Sequence, residues 1–255
     1  SGTSGSSGTS GTSGSSGTSG NDGSDGPIGP YEYNTPANND SGIQPVSGSN
    51  ITVGCVSTIS GGECNQIQSD ASGSFIGGGC CNLVACISDY SIIGGGKDHT
   101  ICDSRCATIG GGFYSNICNS NFGTIAGGCQ KSTGIEDSEA ATIIGGCNNT
   151  IQNSAAGLVG GGSTNTVKDS ACATSVGGYN NIISGSKCSF IGSGNSNIIM
   201  KTSYASSIVG GGTNCIDLSS GSFIGGGSIN QIKGGQIGQT CYSSIVGGFD
   251  NCISD

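Results

Sequence analysis

From residue 55 to the last residue, apolar, small and amide side chains recur in one fixed frame. The stretch "FIGGGCCNLV", Phe75 to Val84, shows it most simply. With Ile76 as position zero, Gly78 and Gly79 fall at +2 and +3, Asn82 at +6 and Val84 at +8. The frame recurs twelve times, at Ile59, Ile76, Ile93, Ile109, Ile125, Ile143, Val159, Ser175, Ile191, Ile208, Ile224 and Ile245. Most anchors are 16 or 17 residues apart; Ile125 to Ile143 spans 18 and Ile224 to Ile245 spans 21. Position +3 is always Gly, and +2 is Gly except at Ser193. Position −2 is always Ser, Ala or Gly, and +8 is β-branched throughout, with Thr133 the one departure from Ile or Val. Position +6 is Asn at Asn65, Asn82, Asn149, Asn165, Asn181, Asn197, Asn214, Asn230 and Asn251, and is replaced by His99, Ser115 and Lys131.

A fixed period with one column always Gly and another always small predicts a solenoid. Ile, Val, Thr, Ser and Gly favour short strands and turns over helix. The predicted fold is all-β: a parallel β-roll of about twelve coils, each with two strands and two turns. The first strand is expected over −3 to +1, as in Cys106 to Gly110, and the second over +5 to +9, as in Tyr114 to Cys118. Side chains alternate across a strand, so −2 and 0 share one face and −1 takes the other. The small/Ile face is expected inside, together with the Asn at +6 and the residue at +8. Stacked Asn amides would then form a ladder along the axis and satisfy one another. At −1, Phe75, Ile92, Leu158, Phe190 and Phe223 alternate with Thr and Ser. A monomer would leave these residues wet, so they are the expected face of a homotrimer. At about 4.8 Å per coil the head would be roughly 58 Å long.

A different period precedes the roll. In residues 1–30 Gly occupies every third position from Gly2 to Gly29. A flexible Gly/Ser linker has no reason to keep phase through ten triplets, whereas a Gly-X-Y triple helix requires it. The expectation is a collagen-like trimeric stalk of roughly 90 Å. Residues 31–54, with Pro36 and Pro45, fit neither period and are read as a junction and cap for the first coil, against the alternative of a plain hinge. The domain reading is therefore 1–30 stalk, 31–54 junction, 55–255 head. The chain begins at Ser1 without Met, which suggests a processed or excerpted chain.

Composition narrows the function. Gly is 52 of 255 residues, charged residues are 9%, and the net charge is −9. That charge disfavours nucleic acid, and no apolar run is long enough for a membrane helix. With one His and scattered carboxylates, no triad or paired-acid site is available, so an enzyme is not expected. Fifteen cysteines suggest an oxidising, extracellular or surface setting. Several fall in shared columns of adjacent coils: Cys102 and Cys118 at +9, Cys172 and Cys188 at −3, Cys129 and Cys147 at +4, and Cys64 with Cys80 and Cys81 at +4 and +5. Such pairs lie within disulfide range, so rung-to-rung staples are expected. The competing reading is reduced cysteine in small buried positions. No Cys-x-x-Cys pair occurs and His99 stands in the Asn column, so zinc is not expected. The Gly-rich repeat partly overlays a calcium-binding nonapeptide, but has neutral Asn where calcium calls for carboxylate. No cofactor is expected. Asn39, Asn50 and Asn148 open Asn-x-Ser/Thr sequons.

The frame in "ATIGGGFYSNICNS" resembles the head repeats of trimeric autotransporter adhesins, over roughly residues 55–255. The resemblance implies left-handed parallel β-rolls associating in threes. A collagen-like stalk joined to a Cys-rich head of this kind resembles surface fibre proteins of giant DNA viruses, and less closely the collagen-like filaments of bacterial spores. The cysteines and stalk depart from the autotransporter pattern. The functional expectation is a structural surface or attachment fibre on a virion or cell surface, with three weak copies gaining avidity for a host receptor or glycan. Contact is expected at the long second turns, Gly134 to Glu139 and Lys233 to Tyr242. The alternative is a filament-forming protein whose rolls stack with no receptor.

Overall fold

The computed structural model describes residues 31–34, 42–45, 49–129, 133–235 and 242–254. The stalk expected over residues 1–30, Asn39, and Lys131 lie outside them. Among the described residues the chain is all-β and winds as a parallel β-solenoid of about eleven turns. It forms one sheet of 14 strands and one of 13. β1 (Tyr31–Asn34) pairs antiparallel with β2 (Gly42–Pro45), and β2 lies parallel to β4 (Thr58–Ile59) through Ile43 and Thr58. From β4 the first sheet runs coil by coil to Ser244–Ile245. The second sheet begins at β3 (Ile51–Thr52) and ends at Cys252–Ser254. The parallel stack is thus under way before residue 55.

Every rung pairs with the same column of the next coil. Thr108 and Ile109 sit beside Thr124 and Ile125, and Ile117 beside Ile101. A third line of contact runs along +4, where single bridges join Lys97 to Phe113 and Ser163 to Tyr179. The strands are shorter than the sequence predicts: the first is two residues, Thr108–Ile109, and not Cys106 to Gly110. The cause is backbone handedness. Cys106 at −3 (φ 54°), Gly112 at +3 (φ 102°), Tyr114 at +5 (φ 53°) and Asn119 at +10 (φ 50°) are all left-handed. Each such residue turns the chain and ends a strand.

The glycine at +3 is fixed by crowding as well as by φ. A Cβ on Gly162 (φ +80°) would stand 2.1 Å from the Gly178 carbonyl oxygen of the next coil. Inside, the Ile and Val columns at 0 and +8 are fully buried from Ile59 to Ile224 and at Ile67 to Ile216, with Ser175 alone breaking the first. Burying each such side chain contributes roughly 1.5–3 kcal/mol.

Three polar ladders run beside this core. In the first, Asn165 Nδ2 donates to the Gly161 carbonyl (2.8 Å) and to the Gly178 carbonyl (3.1 Å), while its Oδ1 accepts from the Asn181 N–H (3.0 Å). Asn50 is already a rung, accepting from the Asn65 N–H at 2.9 Å, and is buried, so this sequon is closed in the folded chain. Asn148 is exposed. The second ladder lies in the second turn, where Ser120, Ser138, Ser154 and Ser170 each accept from the next serine's N–H at 2.9 Å. The third is at −2, where Ser74 N–H donates to Ser57 Oγ and Ser91 N–H to Ser74 Oγ, both at 3.1 Å. These side chains replace water for backbone groups that would be costly to bury alone.

The coil anchored at Ile125 corrects the sequence register. Thr133 pairs with Ser115, and Ile135 with Ile117. Thr133 therefore holds the +6 column and Ile135 the +8 column. The two extra residues enter the register between Gly128 and Thr133, ahead of the strand Thr133–Glu136, so Gly134 to Glu139 is not a long second turn. The chain accepts this because burying Ile135 in line with Ile117 outweighs keeping Thr133 in the core column.

Candidate interaction face

The outer surface of the first sheet carries positions −1 and +1. Across all twelve coils neither column contains a charged residue. From Ile143 onward each coil presents one large apolar side chain there, and its position alternates: Ile144 at +1, Leu158 at −1, Val176 at +1, Phe190 at −1, Val209 at +1, Phe223 at −1, Val246 at +1. All are exposed except Leu158, which is half-buried. Where −1 is large, +1 is Gly, as at Gly160, Gly192 and Gly225. The Phe190 and Phe223 rings lie beside Gly192 and Gly225, each with a ring carbon 3.3 Å from where a Cβ would stand. The result is a zigzag of knobs with a small residue beside each. The sequence reading identified Phe75, Ile92, Leu158, Phe190 and Phe223 but missed the +1 members. Their alternation with the −1 column was the available signal. Phe75 and Ile92 continue the stripe in the early coils; Thr108 with Gly110 and Thr124 with Ala126 interrupt it.

The outer face of the second sheet is different. Its +7 and +9 positions include Glu136, Lys168, Asp217 and Lys233, with Gln, Thr and Ser and the apolar Leu83, Ile182, Ile198 and Met200 between. Lys201, one residue further on, pairs with Asp217 at 3.0 Å. The two outer faces thus divide into one without charge and one with solvated charges.

Two cysteine columns close as disulfides between neighbouring coils. Cys102 bonds Cys118 with Cα atoms 4.8 Å apart, and Cys129 bonds Cys147 at 5.1 Å. Cys172 and Cys188, in adjacent coils at −3, are exposed and unbonded. Cys64, Cys80 and Cys81 are also unbonded but gather on one corner, with Cys80 Sγ 3.1 Å from Cys81 Sγ and Cys64 Sγ 3.0 Å from Ser49 Oγ. The hydrogen bond to Cys80, with burial and the nearby Cys64 and Asp98, pushes the Cys81 thiol up to about 11. Among the described residues no three His, Cys, Asp or Glu side chains gather as a metal site.

The Asn ladder fails in three consecutive coils, at His99, Ser115 and Thr133. His99 copies half of an asparagine: its Nδ1 accepts from the Ser115 N–H at 3.1 Å, as Asn82 Oδ1 accepts from the His99 N–H. The ring proton must then sit on Nε2. Nε2 faces the Gly112 carbonyl without reaching good hydrogen-bond geometry. Burial pushes the imidazole below its ordinary value of 6.5, outweighing the upward pull of Gly112, Asp98 and Ser115. Ser115 Oγ and Thr133 Oγ1 are buried with no hydrogen-bond partner. Elsewhere, Asn65, Asn82, Asn149, Asn165, Asn181, Asn197, Asn214, Asn230 and Asn251 all donate from Nδ2 to the +2 carbonyl of their own coil. No protein-family model matches the chain, and no curated protein matches it at a significant level.

Proposed function

We propose that the chain is a structural surface fibre whose solenoid heads associate side by side through the first sheet, as a homotrimer continued from the Gly-X-Y stalk. The observation that carries this reading is the uncharged zigzag from Ile144 to Val246. Over seven coils the zigzag is about 34 Å long, and at about 10 Å wide it covers roughly 340 Å² per chain, less than the roughly 800 Å² per partner of a standard interface, so the stalk would supply part of the trimer's hold. The knobs recur every second coil, about 9.6 Å apart. Only a partner with the same coil spacing stays in step with them over seven coils, and a second copy of this chain has that spacing. The two disulfides fit an oxidising, extracellular setting. The role is mechanical and multivalent: weak contacts, repeated on a stiff arm, hold a surface.

Sedimentation equilibrium tests this. The chain is expected to sediment as a trimer, and Phe190→Glu with Val209→Glu to yield folded monomer. A wild-type monomer at micromolar concentration would refute the reading. Electron microscopy then separates attachment knobs from continuous threads.

A further inference from the structure

The three coils that lack the interior asparagine also carry the most distinctive outer corner of the molecule. Lys97, Phe113 and Cys129 occupy +4 in successive coils, and Lys97 is bridged directly to Phe113. Together with Tyr114 they line an open concavity of about 330 Å³. Phe113 and Tyr114 are about half exposed, and among the twelve +4/+5 pairs theirs is the only one with two aromatic rings. The floor is braced: Cys102–Cys118 ties the coils of Lys97 and Phe113, and Cys129–Cys147 ties the third coil to the next. Beneath lie the buried, unpartnered Ser115 Oγ and Thr133 Oγ1. Every other coil acts as an internal control, and none combines these departures.

The geometry points to a sugar-binding site, in which one neutral hexose unit of a glycan lies across Phe113 and Tyr114 with the Lys97 ammonium at its edge. A hexose has an apolar C–H face that suits an aromatic ring, and a rim of hydroxyl oxygens that accept from an ammonium group. The ammonium is free to donate. Its contact with Asp98 is 4.0 Å long with Lys97 half exposed, a pair that holds little. Asp98 beside it, and a chain charge of −9, select against an anionic ligand. The second cavity of similar size, lined by Cys55, Val56, Ser72, Gly73 and Tyr90, has no charged side chain to orient a sugar. The inference deepens the attachment reading and rests on it for its biological setting.

The test titrates methyl glucoside, galactoside, mannoside and, separately, glucuronate into the full chain, read by saturation-transfer NMR and tyrosine fluorescence. At least one neutral hexoside should bind saturably and without salt dependence, with a dissociation constant of about 1 mM. Loss of one ring contact in Phe113→Ala, or of the ammonium in Lys97→Met, should weaken it about tenfold. Tyr114→Asn should abolish most binding yet fold at least as well, because Asn suits a residue at φ 53°. Tyr179→Ala, on the same column but away from the concavity, should change nothing. No saturable hexoside, binding that Phe113→Ala leaves unchanged, or binding of glucuronate alone that salt removes would each overturn the site. Sedimentation of the same samples reports separately on self-association.

Discussion

Two adjacent glycines should respond in opposite ways to the same substitution. Gly161 and Gly162 are the +2 and +3 residues of one coil. A Cβ on Gly161 meets nothing within 4 Å, and its φ is not left-handed. A Cβ on Gly162 would meet the Gly178 oxygen at 2.1 Å, the Gly178 nitrogen at 2.7 Å and Asn165 Nδ2 at 2.7 Å. The left-handed backbone alone costs an alanine about 1–2 kcal/mol. Relieving the clash means moving two coils apart, since both Gly178 atoms are backbone. That strains the Ser163 N–H to Gly178 carbonyl bond (2.9 Å) and the Asn165 amide bond to the same oxygen (3.1 Å). Two buried hydrogen bonds weakened at about 1–1.5 kcal/mol each bring the total to roughly 3–5 kcal/mol. Gly161→Ala should stay within about 0.5 kcal/mol or stabilise slightly, through the unfolded chain. Urea denaturation followed by circular dichroism gives both values. Equal losses in the two variants, or less than about 1 kcal/mol for Gly162→Ala, would refute the argument that crowding between coils fixes this column.

Other expectations follow from the same geometry. Ser175 stands between Val159 and Ile191 in the core column with its hydroxyl buried and unpartnered, so Ser175→Val should stabilise by about 1–2 kcal/mol in the same denaturation assay. His99 has its folded pKa pushed down by burial, so the unfolded chain binds the proton more readily. Its contribution is fully present above 6.5 and is lost as pH falls below that value. His99→Asn should restore the ladder and flatten this part of the melting-temperature profile. Cys118→Ser opens a closed segment of 16 residues. The expected loss is about 3 kcal/mol, read as a shift in the denaturation midpoint against the unsubstituted chain without reductant.

Much of this was legible because the constraint lies in one residue type at one place. Gly at +3, present in every coil, and Asn at +6, present in nine of twelve, are set by contacts with the next coil, so they recur with the coil. The register at Thr133 was harder to read. A two-residue insertion put a β-branched residue at the counted position, and only the pairing of Ile135 with Ile117 reveals the shift. The second-turn serine column was hidden because its distance from the anchor varies: Ser104 lies at +11, Ser88 at +12 and Ser138 at +13. The left-handed corners were hidden for the opposite reason. Val56, Tyr90, Phe122 and Ile229 occupy them, side chains that a local reading keeps out of that conformation. Stacking against the coils on either side overrides the local preference.

Because each coil touches only the coil before and the coil after, the molecule behaves as a measuring rod with a fixed graduation. Copying residues 159–174 in place would add one graduation, about 4.8 Å, and rejoin all columns on both sides. Insertions that do not match a coil of 16 or 17 residues have to be absorbed between the columns. Its length can therefore be tuned in whole steps by duplicating short stretches of the gene, without redesigning a single contact.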